Sequence, residues 1–145
     1  MYQLLLIPVA FGLAKLFSDV LDANRELAKI DKKHIYRNYL IKYFKKDDEK
    51  IVKQKITKSI NLIVENYSHF KIGKSGIPAK RAEQHEEYTE MFLLCESKYS
   101  ELIENLEKYY NKKFRHHEKN DNKNYGSAST MSKIDDNYYL YVVVI

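Results

Sequence analysis

Apolar positions divide the chain into stretches whose spacing changes along its length. Tyr2-Gln3-Leu4-Leu5-Leu6-Ile7 is short, apolar and closed by Pro8. It reads as a buried strand or as the start of a helix kinked at Pro8, and periodicity does not separate the two. From Val9 a helical period sets in, with Leu13, Leu16, Phe17, Val20, Leu21, Leu27 and Ala28 on one face. Lys15, Asp19, Asp22 and Glu26 lie off that face, which predicts an amphipathic helix to about Ile30. A second helix is expected over residues 34–45, on Ile35, Tyr36, Tyr39, Leu40, Tyr43 and Phe44. A third, capped by Asp47 or Asp48, carries Val52, Ile56, Ile60, Ile63, Val64 and Tyr67.

Gly73-Lys74-Ser75-Gly76-Ile77-Pro78 then reads as a turn. Beyond it Tyr88, Phe92, Cys95, Tyr99, Leu102, Leu106 and Tyr109 alternate steps of four and three. That spacing predicts a long helix over residues 79–112, about 50 Å if unbroken, with Ser97 as the N-cap of a break. Residues 115–133 are polar and read as a loop. Tyr138-Tyr139-Leu140-Tyr141-Val142-Val143-Val144-Ile145 is aromatic and β-branched, a strand to be covered on both faces. The fold expected is α+β, one domain over residues 1–145. It has about four helices, one of them long, packed on a small sheet formed by the N-terminal and C-terminal strands. Two strands alone are marginal, so further pairing from residues 115–133, or a homodimer extending the sheet, is expected as well.

Composition adds one unusual feature. There are 13 Tyr against 6 Phe and no Trp, which suits a thin core or an interface, since Tyr packs its ring and keeps a polar tip. Biased codon usage in a Lys-, Asn-, Ile- and Tyr-rich chain accounts for the same excess. Cys95 is the lone cysteine, so no internal disulfide forms. At an apolar helical position it reads as a small core residue, and the absence of cysteine pairs leans towards a reducing, cytoplasmic setting. The apolar run over residues 4–14 has no Lys or Arg before it and falls short of the ~20 residues of a membrane span. It is expected to be buried structure, not a targeting segment.

Charge changes the picture more. Residues 29–58 are strongly basic, and Tyr36, Tyr39 and Tyr43 interleave with Lys33, Arg37, Lys42, Lys45, Lys46, Lys50 and Lys53. These ten form the candidate binding surface, able to contact phosphates and stack bases. Residues 83–107 reverse the sign, with eight Glu opposed by Lys98 alone, so the two segments could instead neutralise each other. The favoured function is a non-catalytic protein-binding module of adaptor or inhibitor type. Nucleic-acid binding through residues 29–58 is the alternative, and peripheral membrane association a weaker one. No catalytic residues, metal site or cofactor are expected. The five His match no standard ligand spacing, even where His85 stands near Glu86 and Glu90 and His116 beside His117. Gly73-Lys74-Ser75-Gly76 lacks the ending of a phosphate-binding loop.

In the order of its elements the chain resembles a family of uncharacterised proteins of cyanobacteria and chloroplasts. Tyr2-Gln3-Leu4-Leu5-Leu6 leading into Gly12-Leu13-Ala14-Lys15 resembles the family's first strand and helix. Tyr139-Leu140-Tyr141-Val142-Val143-Val144 resembles its last strand, and Cys95-Glu96-Ser97-Lys98-Tyr99 an internal segment. Asn66-Tyr67-Ser68-His69-Phe70 stands where the family has an Asn-Pro-x-Tyr-Trp-like segment, without its Pro and Trp. The resemblance implies pairing of residues 2–7 with residues 138–145 and implies no activity.

Overall fold

The structure, a computed structural model, describes residues 34–122, 131 and 137–145, all within the compact unit Lys33–Ile145. The strands are β1 (His34–Tyr36), β2 (Ile41–Lys42), β3 (Phe70–Ser75), β4 (Glu90–Ser97) and β5 (Tyr138–Val144). The helices are α1 (Glu49–Val64), α2 (Pro78–Gln84) and α3 (Ser100–Lys113), with a single 3-10 turn at Lys46–Asp48. The strands form one mixed sheet in the order β1-β4-β5-β3, with β2 continuing β1 alongside β4. β5 lies antiparallel to both β3 and β4, while β1 and β2 run parallel to β4.

The α+β class stands, and several elements differ from expectation. Residues 34–45 form β1 and β2, not a helix: Ile35, Tyr36, Ile41 and Tyr43 are β-branched or aromatic and fit a pleated surface. The long helix over residues 79–112 is three elements, α2, β4 and α3. Met91 to Cys95 is an unbroken apolar run, and every one of those residues is buried. Such a run supplies a residue at any spacing, so the steps of four and three through Phe92 and Cys95 carried no helical information. Gly73 lies inside β3, and the turn shrinks to Gly76 and Ile77 before Pro78 opens α2 at a position that needs no amide donor. α1 follows the expected pattern, burying Val52, Ile56, Ile60, Ile63 and Val64. Asp48 stands at its N-cap but makes no capping bond.

β5 is central, flanked along its length by β3 and β4. Neither edge is left for pairing with residues 2–7, which themselves lie outside the described residues, as does the helix expected over residues 9–30. Five strands also remove the reason for which a second copy was expected to extend the sheet. The two faces of β5 feed two cores. Leu140, Val142 and Val144 join Phe70, Ile72, Phe92 and Leu94 under α1 and α3. Tyr139, Tyr141 and Val143 join Met91, Leu93, Tyr88 and Ala82 of α2. A bulge at Leu94 lets Leu93 pair with Tyr141 and Cys95 with Leu140, so Leu94 and Cys95 both face the first core.

Candidate functional site

The expected basic surface is dispersed. Lys42, on β2, and Lys45, Lys46 and Lys50, around the 3-10 turn, are exposed. Lys53 is drawn onto α1, paired with Glu49 and lying 4.0 Å over the Tyr109 ring. Arg37 stands over the Tyr139 ring at 5.8 Å. Tyr43 is buried in the first core. Tyr36 stacks on Phe92 at 4.9 Å and donates to Glu90, Tyr39 meets Phe92 edge-on, and Tyr67 donates to the same carboxylate. These three tyrosines are therefore structural on at least one ring face. Lys33 lies outside the described residues.

A different set of side chains converges on the outer edge of β3. A groove of about 200 Å³ is lined by Lys71, Gly73 and Lys74 of β3, Arg81 of α2 and the following His85, Glu107 of α3, Asn122, and Tyr141 of β5. The topology explains the meeting. β3 ends the sheet, α2 packs on one face and α3 on the other, so both helices overhang the same edge. Gly73 pairs with Tyr141 across the strands, and a Cβ at Gly73 would stand 2.4 Å from the Tyr141 hydroxyl. The tyrosine ring thus lies over bare backbone, a close approach that only glycine permits.

From that position the Tyr141 hydroxyl lies 2.8 Å from His85 Nε2. Burial pushes the hydroxyl above the ordinary phenol range, Arg81 pulls it back down, and Glu107 raises it again. His85 makes the direct contact with this hydroxyl, and Arg81 and Glu107 line the same groove. On the other side of β3, Lys74 Nζ approaches Glu107 Oε1 at 3.5 Å, with Lys74 6% and Glu107 4% exposed. Behind Glu107, one turn along α3, Asn111 is fully buried and its Oδ1 accepts from Asn122 Nδ2 at 3.1 Å. Its Nδ2 has no hydrogen-bond partner among the described residues.

The segment after α3 holds Asn122 in place. Phe70 N donates to Lys119 O and Asp121 N donates to Phe70 O, both at 2.9 Å, along the outside of β3. This is short pairing from within the region expected to supply it, an isolated bridge between Phe70 and Asn120. Asp121 accepts from the Tyr88 hydroxyl at 2.6 Å and contacts His69 Nδ1 at 3.1 Å, tying the segment to both sides of the edge.

Among the described residues no group of three or more His, Cys, Asp and Glu side chains could hold a metal ion. The buried Glu107 carboxylate is met by the Lys74 ammonium at 3.5 Å, which offsets its charge and disfavours a metal cation there. Cys95 is buried and its thiol is pushed up to about 12, chiefly by burial, so it is a core residue. No helix among the described residues is long and apolar enough to cross a membrane.

Lys74, Arg81, His85, Glu107, Asn122 and Tyr141 were not gathered by sequence reasoning. The one local signal is Arg81 and His85 a helical turn apart, just after a strand ending in Ser75-Gly76. No protein-family model, no curated protein and no solved structure matches the chain.

Proposed function

We propose that the groove cleaves phosphodiesters of nucleic acid. The observation that carries this is the lining of one groove by Lys74, Arg81, His85, Glu107 and Tyr141, with the Tyr141 hydroxyl 2.8 Å from His85 Nε2. Phosphoryl chemistry needs positive charge around the equatorial oxygens, a group to orient and deprotonate water, and little covalent machinery. Arg81 and Lys74 supply the charge, and Arg81 offers the forked donors that match a phosphate. Tyr141 orients the water. Its hydroxyl passes the water's proton to His85, imidazole being the side chain that takes up a proton near neutral pH. The hydroxide oxygen bonds to phosphorus, the bond to the leaving sugar oxygen breaks, and solvent protonates that oxygen.

This reading replaces the non-catalytic module as the first hypothesis. The exposed Lys42, Lys45, Lys46 and Lys50 are in keeping with nucleic-acid binding, the earlier alternative, as an accessory surface. A cytoplasmic setting is retained as part of the proposal.

The test is incubation of the purified chain with labelled single- and double-stranded DNA and RNA, with Mg²⁺, Mn²⁺ or EDTA. Cleavage that falls at least a hundredfold in both Tyr141→Phe and His85→Gln supports the reading. Salt-sensitive binding without cleavage returns the protein to non-catalytic nucleic-acid binding. Absence of both returns it to a protein-binding module.

A further inference from the structure

We infer that a second cavity, adjoining the groove at Arg81, is a subsite for the phosphate next to the one attacked. This rests on the phosphodiester reading and narrows it, because such a subsite selects an internal linkage of a polynucleotide over a terminal phosphate or a small diester. The cavity is about 180 Å³ and is lined by Ser75, Gly76, Ile77, Lys80, Arg81, Gln84 and Met131. Arg81 and Met131 line the groove as well, so the two spaces are neighbours sharing a guanidinium.

Their charge balance differs. In the groove Glu107 sits among Lys71, Lys74 and Arg81, and its carboxylate offsets part of their positive charge. The second cavity has Lys80 and Arg81 with no carboxylate among its described lining residues. An unbalanced pair of cations with neutral donors is the chemistry of an anion site that needs no metal. Lys80 and Gln84 are four apart on α2, hence on one side of it, and both are exposed, so their heads reach a ligand without disturbing the core. Ser75 Oγ is engaged by the Ile77 amide at 2.9 Å, which fixes the wall between Lys80 and the strand. A polynucleotide with its attacked phosphate between Arg81 and Glu107 would meet Lys80 and Gln84 at the following linkage.

The experiment is a methylphosphonate scan. Oligonucleotides of one sequence carry a single neutral linkage at each position in turn, and binding to the full chain is measured by anisotropy in EDTA at several salt concentrations. In the wild type, one linkage adjoining the cleavage position weakens binding about tenfold when neutralised and lowers the salt slope by about 1. Lys80→Ala/Gln84→Ala binds the all-phosphate oligonucleotide as weakly as the wild type binds the neutralised one, and is indifferent to neutralisation there. Equal sensitivity at every linkage, or full sensitivity retained in the double variant, overturns the subsite while leaving the groove intact. A wild type that neither binds nor cleaves any oligonucleotide overturns the phosphodiester reading, and the subsite with it.

Discussion

At Gly73 a missing side chain makes room for the Tyr141 ring. Gly73→Ala would normally be neutral or favourable in a strand, but here the new methyl meets the Tyr141 ring end. The ring must tilt, which breaks its 2.8 Å contact with His85. We expect a loss of about 1–3 kcal/mol in stability, typical of overpacking, with cleavage reduced at least as far as in Tyr141→Phe. Thermal unfolding and a cleavage assay on both variants check this. Tyr110 is the opposite case, a tyrosine whose hydroxyl serves the fold. It donates to Lys53 O at 2.7 Å and lies 3.0 Å from Thr57 Oγ1. Burial pushes it up to about 12 from 10.0. Below pH 10 both folded and unfolded chains keep this proton and stability is flat. Between about pH 10 and 12 the unfolded chain releases it first, so stability falls as pH rises. Tyr110→Phe should cost about 0.5–1.5 kcal/mol near neutrality through the lost hydrogen bond and flatten that alkaline decline, as denaturant titrations at pH 8 to 11 would reveal.

At the scale of elements, legibility followed how each one buries itself. α1 was readable because one face packs and the other is wet, so Val52, Ile56, Ile60 and Ile63 recur with the helical period. β5 was readable from its β-branched run, buried on both sides. β4 was misread because a strand buried on both faces has no period at all, and its bulge at Leu94 erases the alternation that remained. Cys95, which the helical spacing had placed on a seam, is instead the residue after that bulge, paired with Leu140. Its thiol should resist iodoacetamide in the native protein, being buried and pushed up to about 12. It should react within minutes at pH 8 once urea unfolds the chain. Mass spectrometry across a urea series measures the opening of β4 from β5, and labelling well below the unfolding transition would contradict this placement.

Across the whole molecule, the groove was illegible because no two of its decisive side chains declare themselves together. Lys74, Arg81, Glu107 and Tyr141 come from four elements, and only the placement of β3 at the sheet edge makes them neighbours. The basic run over residues 29–58 was conspicuous because it is local. The groove's strongest signature is energetic: Lys74 and Glu107 are nearly fully buried at 3.5 Å from each other, and such pairs seldom stabilise a fold more than apolar residues of the same shape. A pair retained for the fold and a pair retained for chemistry behave differently when removed. Glu107→Ala alone should cost about 3–5 kcal/mol by removing the carboxylate that lies 3.5 Å from the buried Lys74 ammonium. Lys74→Met/Glu107→Leu should recover most or all of that stability, and cleavage should still be abolished. If the double variant unfolds as readily as the single one, the pair is structural. If it is stable and still cleaves, the chemistry does not use this pair and must be sought elsewhere. A stable, inactive double variant would mean that the fold tolerates this buried charge for the sake of the site.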